Sequence, residues 1–252
     1  MNDTTIPVPD APPSLRRLTL VEVRKMTDTR AGFWLLLITA ALTLLSAVIA
    51  GLALADEDSN LLNFLAITVQ PASILMPVVG ILLVSSEWSQ RTAMVTFLLV
   101  PQRSRVMAAK LLAGLTLAMA ACVLCLITAL LLTALAGSDG DATWSLSVGL
   151  IGQIAVSVAV PMLIGIAFGA VLLASAPAIV LYFVLPTVWA GLGAIPKLEG
   201  AARWLDTSVT MTPLIEETLS ATEWARLATS LALWLFLPLA IGLWRVARSD
   251  VR

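Results

Sequence analysis

Apolar residues run through this chain in long uncharged stretches, and the charged residues are bunched between them. A helix crosses a bilayer in about 20 residues, so each stretch is long enough for at least one crossing. The stretch 142–196 is long enough for two crossings, and Pro177 beside small residues permits a tight turn between them. The uncharged stretches are 31–55, 61–86, 111–138, 142–196 and 227–244.

This pattern predicts an all-α membrane protein with six spans. Backbone in lipid must satisfy its own hydrogen bonds, and these stretches lack the alternation of barrel strands, so helices are expected. No cleavage site follows the first stretch, which we therefore interpret as a span and not as a signal peptide. Residues 1–30 form a predicted N-terminal segment and 31–252 a single transmembrane domain. The predicted spans are 31–55, 62–84, 108–136, 147–173, 177–195 and 226–246.

Composition agrees with this interpretation. Of 252 residues, 59% are hydrophobic and 12% charged, and the mean hydropathy is +0.96. Soluble domains carry about 25% charged residues, so a soluble enzyme, a nucleic-acid-binding protein and a secreted disulfide scaffold are excluded. Cys122 and Cys125 form a C-x-x-C within the third stretch. At that depth they are interpreted as small apolar helix residues and not as a reactive thiol pair.

The basic residues predict the orientation. Loops that carry an excess of lysine and arginine stay in the cytoplasm, and with the N-terminus inside, 12 of the 15 basic residues are cytoplasmic. Lys197, Arg203 and Arg226 face out. Both termini are therefore predicted to be cytoplasmic. The predicted cytoplasmic residues are Arg16, Arg17, Arg24, Lys25, Arg30, Arg91, Arg103, Arg105, Lys110, Arg245, Arg248 and Arg252.

Several kinds of chemistry are missing from the sequence. The chain has no histidine, which disfavours membrane metalloproteases and haem-binding spans. Gradient-driven carriers usually keep an ionisable residue inside the membrane, whereas we expect no buried charge here. There is also no G-x-x-x-x-G-K-[ST] phosphate loop. If the protein does work, another chain must supply the energy.

A few residues inside the spans have two interpretations. Gln70, Gln153 and Tyr182 either line a pathway or make hydrogen bonds that pack helices together. Gly165 and Gly169 form a G-x-x-x-G, which brings two helices close either within the chain or at a dimer seam.

Two polar segments carry the remaining information. Residues 14–30 begin at Ser14 after two prolines and predict a basic, amphipathic entry helix. It lies along the inner leaflet or against a cytoplasmic partner, or it is a charged flank that only sets topology. Residues 87–110 predict a short interfacial helix with an i,i+4 pair between Glu87 and Arg91, ended by Pro101. A basic patch follows it, which suits a partner protein or the anionic leaflet.

The second segment resembles a known signature. Glu87, Arg91-Thr92, Leu98, Pro101, Arg103, Arg105 and Lys110 resemble the E-x-x-x-x-T…L…P…R…K pattern between spans two and three of ABC-2-type permeases, the membrane subunits of many bacterial ABC exporters. The opening VEVRKMTDTR resembles that family's entry helix, and the ending WRVARSDVR resembles its basic tail. Arg91 stands where the family usually has glycine.

The resemblance implies a permease dimer in the bacterial cytoplasmic (inner) membrane, made with a second copy or a homologue and surrounded by lipids. It implies separate ATPase subunits that bind ATP and Mg²⁺, and no enzyme activity, cofactor or nucleic acid for this chain. The helix between spans two and three would dock on the ATPase and transmit its movement. The residues so implied are Glu87, Arg91 and Thr92 for the coupling helix, Pro101, Arg103 and Arg105 for its exit, and Glu22 and Lys25 for the entry helix.

A membrane scaffold or sensor subunit that binds partners without moving a solute is the alternative, and the sequence names no substrate. Residues 196–225 are too apolar for a free loop and too charged for a span. Their fourfold apolar spacing predicts two short outer helices flanking Pro213. The resemblance implies that this segment caps the outer mouth of the pathway.

Overall fold

The computed structural model describes residues 13–53, 60–90, 92, 94, 96, 98, 100, 102–136, 147–193, 195–216 and 218–248. This part of the chain is almost entirely helical and contains no strand. In chain order the helices are α1 (Leu15–Asp28), α2 (Arg30–Ala53), α3 (Leu61–Ser89), α4 (Arg103–Ala136), α5 (Val148–Leu172), α6 (Ser175–Gly193), α7 (Glu199–Leu205), α8 (Thr207–Met211), a 3₁₀ helix (Thr212–Ile215) and α9 (Ala221–Arg248), which contains a π turn (Ala232–Phe236).

Within the described residues, six helices are long and apolar enough to cross a membrane: α2, α3, α4, α5, α6 and α9. The prediction of six membrane-length helices is confirmed, and most boundaries agree within a few residues. The largest differences are in three helices: α3 continues to Ser89 instead of ending near 84, α4 begins at Arg103 instead of near 108, and α9 begins at Ala221 instead of near 226. The extension of α3 places Glu87 inside a long helix, whereas Lys110 already lay within the predicted span 108–136.

Helices α3 and α5 form the centre of the bundle. Phe64, Leu65, Ile154 and Ile166 from these two helices are fully enclosed. By contrast, α2 and α6 present large apolar side chains to the outside, as expected for helices that border lipid.

The two central helices approach closely because glycine lies at their crossing. A Cβ on Gly165 would lie 2.2 Å from the Pro77 carbonyl oxygen, and one on Gly80 would lie 2.4 Å from the Met162 carbonyl oxygen. Gly169 meets Ile81 in the same way. The G-x-x-x-G motif therefore serves packing within the chain, which was one of its two interpretations.

The beginning and the end of the described chain meet at one end of the bundle. Arg103 at the start of α4 donates to the Val246 carbonyl oxygen near the end of α9, at 2.7 Å. Arg105 donates to the Pro13 carbonyl oxygen, just before α1, at 3.0 Å. We call this the basic end, because the arginines of α1 and of the last turn of α9 also lie there.

The segment at the opposite end differs from its prediction. The break between the two short helices falls at Asp206, whose carboxylate accepts from the Ser208 backbone N–H at 2.8 Å and so caps α8. Pro213 lies instead in the first turn of the 3₁₀ helix, where its missing N–H is not needed. Helix structure resumes at α9, where Ser220 and Glu223 form a capping box.

Candidate functional site: a buried ring of charges

Four charged side chains from three helices meet at the basic end. Glu22 and Lys25 come from α1, Glu87 from α3 and Lys110 from α4. Lys25 Nζ lies 2.7 Å from Glu22 Oε1 and 2.6 Å from Glu87 Oε1. Lys110 Nζ lies 2.6 Å from Glu22 Oε2 and 3.2 Å from Glu87 Oε2. Each lysine thus bridges both glutamates in a closed arrangement that we call the charge ring.

The ring is buried and satisfied. Glu22, Glu87 and Lys110 are 4%, 7% and 3% exposed. Every carboxylate oxygen has a lysine partner, and Lys110 also donates to the Leu83 carbonyl oxygen at 2.9 Å, so its three protons all have acceptors. Buried charges are costly unless paired and hydrogen-bonded. All four ion pairs can therefore form only while α1, α3 and α4 keep their positions relative to one another.

Local sequence fixes the position of α1. Ser14 caps the helix by accepting from the Arg17 backbone N–H at 3.3 Å. Glu22 and Met26, one turn apart, share the buried face of α1. The turn into α2 is tight, since a Cβ on Gly32 would lie 2.1 Å from the Met26 carbonyl oxygen. Glu22 is thereby held against α4.

Lys25 is the most exposed member of the ring. Its side chain keeps 38% exposure and borders a cavity of about 1580 Å³ between α1, the end of α3 and the start of α4. Burial acts to lower the pKa of Lys25, but the charge of Glu22 and the hydrogen bonds to both glutamates raise it above the ordinary lysine value. Lys25 therefore stays charged at neutral pH. Its contribution to stability is complete below the ordinary lysine pKa and is lost as pH rises past the raised value.

The segment between α3 and α4 is attached to the ring. Thr96 donates from its hydroxyl to Glu87 Oε1 at 3.2 Å, and the Thr92 backbone N–H donates to the Glu87 carbonyl oxygen at 2.8 Å. Met94, Thr96 and Leu98 are helical, in keeping with the short helix predicted here. Arg91 and Pro101, which the resemblance also implied, lie outside the described residues.

Glu87 has a different environment from the one expected. The sequence predicted a helix-surface pair with Arg91, but the carboxylate is buried and paired with Lys25 and Lys110. The expectation that the chain holds no buried charge is therefore wrong. Arg103 and Arg105, expected to form a basic patch for partners, bind carbonyl groups near the two ends of the chain.

The three polar side chains of the spans have different positions. Gln153 is buried and packs the opposite end: its amide donates to the Leu214 carbonyl oxygen at 3.4 Å and accepts from the Leu219 N–H at 3.1 Å. Tyr182 packs edge-to-face against Phe168 and Phe183. Gln70 is exposed on α3.

Sequence reasoning assigned no ring role to Lys110 or Thr96. A signal existed for Lys110, because a lysine within the predicted span 108–136 requires a partner. Thr96 gives no such signal, since threonine is common on helices. In the part of the chain that the structure describes, no three His, Cys, Asp or Glu side chains come together as a metal site.

The geometry defines a multi-pass membrane protein whose one cluster of buried charges, among the described residues, joins its N-terminal helix to two long helices. Comparison of the chain with protein-family models and with curated proteins gives no match. The functional argument therefore rests on the residues and their contacts.

Proposed function

We propose that this protein is the permease subunit of an ATP-driven exporter of the bacterial cytoplasmic membrane, working as a dimer with separate ATPase subunits. The observation that carries the proposal is the charge ring, to which Thr96 of the segment between α3 and α4 is hydrogen-bonded. The basic end faces the cytoplasm in this proposal, in line with the positive-inside rule.

The ring gives that segment a mechanical connection to the bundle. A displacement of Thr96 acts on Glu87 at the end of α3, and through Lys110 on the start of α4. Because α3 packs along α5 through glycine contacts, a shift of α3 is passed to the centre of the membrane domain. An ATPase bound at the segment would drive the helices by this route.

The cavity beside the ring is suited to a protein partner. Arg17, Arg30 and Arg105 line it together with apolar side chains, and the four ring charges cancel one another. An acidic loop of the ATPase is the complementary surface. On the segment between α3 and α4, Met94 is half-exposed and Leu98 is largely exposed, and both add apolar surface to this proposed contact.

The route for the solute is proposed to lie between two copies. Gln70 is a polar side chain on the outward face of α3, and a polar group facing lipid is unfavourable. Pairing of two α3 faces would remove it from lipid and line a path with it. The ring itself offers no proton relay across the membrane, since its members are paired with one another at one end of the bundle.

Purification from native membranes in a gentle detergent tests the proposal. We expect a separate ATP-hydrolysing chain to copurify, and vesicles containing both chains to move solute only with ATP and Mg²⁺. Homo-oligomers alone, with transport driven by a proton gradient, would contradict it. A copurifying ATPase with no solute movement would instead favour the scaffold or sensor alternative.

A further inference from the structure

Helix α1 separates the cavity beside the ring from a second recess on its other side. This groove lies between the first half of α1 and the beginning of the membrane-length part of α4, and its volume is about 590 Å³. Arg16, Thr19 and Leu20 line it from α1, and Leu112, Leu115 and Met119 line it from α4. The cavity and the groove do not share a lining residue.

The floor of the groove is an apolar strip on a membrane helix. Leu112, Leu115 and Met119 recur at helical spacing and therefore share one face of α4. They are 42%, 39% and 40% exposed. At a rise of 1.5 Å per residue the strip is about 10 Å long and runs away from the basic end. A strip with this direction, on a helix that borders lipid, fits an acyl chain lying along it.

The α1 rim of the groove is positively charged at Arg16, which lines the groove, and Arg24 lies two turns further along α1, outside the lining. Arg16, Leu20 and Arg24 follow one another at i, i+4 and i+8, so they share one exposed face of α1. Within α1, Glu22 belongs to the ring, and Asp28 lies one turn beyond Arg24 without an ion pair to it. Among the described residues no carboxylate forms an ion pair with Arg16 or Arg24. A phosphate group is the complement of such a rim.

We propose that an anionic phospholipid of the adjoining leaflet occupies this groove, with its phosphate at Arg16, further attraction from Arg24, and one acyl chain along Leu112, Leu115 and Met119. Basic residues beside an interfacial helix attract anionic lipid headgroups. The bound lipid would hold the exposed side of α1, whose buried side carries Glu22 and Met26. This inference does not depend on the exporter proposal.

Native mass spectrometry of the full-length protein, titrated with phosphatidylglycerol or phosphatidylcholine of the same acyl chains, tests the site. We expect tighter binding of phosphatidylglycerol, weakened about five-fold by Arg16→Gln and about twenty-five-fold by Arg16→Gln with Arg24→Gln. Arg17→Gln is the matched control, because Arg17 makes the same charge change one residue away but lines the cavity. It should leave phosphatidylglycerol binding unchanged.

A groove-filling variant separates the acyl contact from surface charge. Leu115→Trp should weaken phosphatidylglycerol binding while both arginines stay in place, and thermal unfolding reports whether the variant is folded. Equal binding of the two lipids, or equal effects of Arg16→Gln and Arg17→Gln, would overturn the proposal. So would dissociation of an oligomer by Leu115→Trp without lipid loss, since the groove would then be a contact between proteins.

Discussion

The two ends of the bundle are held together by different chemistry. At the basic end, the charge ring joins α1, α3 and α4 through four ion pairs between largely buried groups. At the opposite end, the hydrogen bonds that join the segment between α6 and α9 to α5 and α9 are neutral: Gln153 to Leu214 and Leu219, the Trp234 indole to the Leu205 carbonyl oxygen at 2.6 Å, and Thr210 to Ser230 at 2.7 Å.

This difference predicts different mechanical behaviour. Removing one member of a buried ion-pair cluster leaves an uncompensated charge, at a cost of about 3–5 kcal/mol. A neutral hydrogen bond contributes about 0.5–1.5 kcal/mol, so the opposite end can open one contact at a time. We therefore expect the basic end to move as a unit and the opposite end to open locally.

Lys110→Met should have the largest effect. The substitution keeps an unbranched side chain but leaves Glu22 and Glu87 with Lys25 alone, and it should lower the free energy of unfolding by about 3–5 kcal/mol. Thermal unfolding in detergent measures the loss. Lys197→Met, on an exposed residue at the opposite end, should change it by less than about 0.5 kcal/mol. Equal effects of the two substitutions would mean that the ring does not hold the bundle.

Glu87→Gln should have the next largest effect. The amide keeps the shape of the side chain but loses two charge-assisted contacts to lysine, so we expect a loss of about 2 kcal/mol in unfolding free energy. This differs from the surface pair expected from sequence, whose loss costs only about 0.2–0.5 kcal/mol.

Glu199→Gln is the control for Glu87→Gln, because Glu199 forms an exposed ion pair with Arg203. The double variant Glu87→Gln with Lys110→Met should lose less unfolding free energy than the sum of the two single losses, since both residues act in one ring. Strict additivity would show that Glu87 and Lys110 act independently.

Gln153→Leu should have a moderate effect at the opposite end. It leaves the Leu219 N–H and the Leu214 carbonyl oxygen without their partner, at a cost of about 1–3 kcal/mol. Gln70→Leu is the matched control, because the same substitution there falls on an exposed side chain and should be nearly neutral.

Thiol labelling tests whether the hydrogen bonds of Gln153 keep the segment around Leu214 and Leu219 closed. A water-soluble reagent should label Leu214→Cys slowly and Glu199→Cys quickly, because Leu214 is fully buried and Glu199 exposed. Leu219→Cys should also react slowly, and Gln153→Leu should speed labelling at Leu214→Cys. The native Cys122 and Cys125 are buried and give little background. Fast labelling at all three positions of the otherwise native protein would rule out a closed cap.

Thr96→Val should have the smallest effect on stability, about 1 kcal/mol or less, because it removes a single hydrogen bond to Glu87. In the proposed complex it should nevertheless reduce transport-coupled ATP hydrolysis, since that bond connects the segment to the ring. Thr187→Val, whose exposed hydroxyl donates to the Phe183 carbonyl oxygen of its own helix, is the control and should leave coupling intact. Unchanged coupling in both variants would remove Thr96 from the transmission route.

The sequence predicts the membrane-length helices of this protein and one of their close crossings well. Five uncharged stretches, one of them long enough for two crossings, predict the six membrane-length helices, and Gly165 and Gly169 indicate a close helix crossing. Partners that lie far apart in sequence are less predictable. Glu22 meets Lys110 across 88 residues, and nothing in either local pattern specifies the other.

The segment between α6 and α9 illustrates a competition between local signals. Pro213 suggests a boundary between two helices, but proline is equally suited to the first turn of a 3₁₀ helix. Asp206 is a good N-cap residue and provides the actual break. Apolar spacing alone does not distinguish these two arrangements.

Site-specific photocrosslinking in native membranes tests the central claim most directly. A benzophenone residue at Leu98, which is 71% exposed on the segment attached to the ring, is compared with one at Val148, which is 86% exposed at the start of α5. We predict that Leu98 crosslinks to a chain that binds ATP and that Val148 does not. No ATP-binding chain at Leu98, or the same chain captured equally at both positions, would contradict the account.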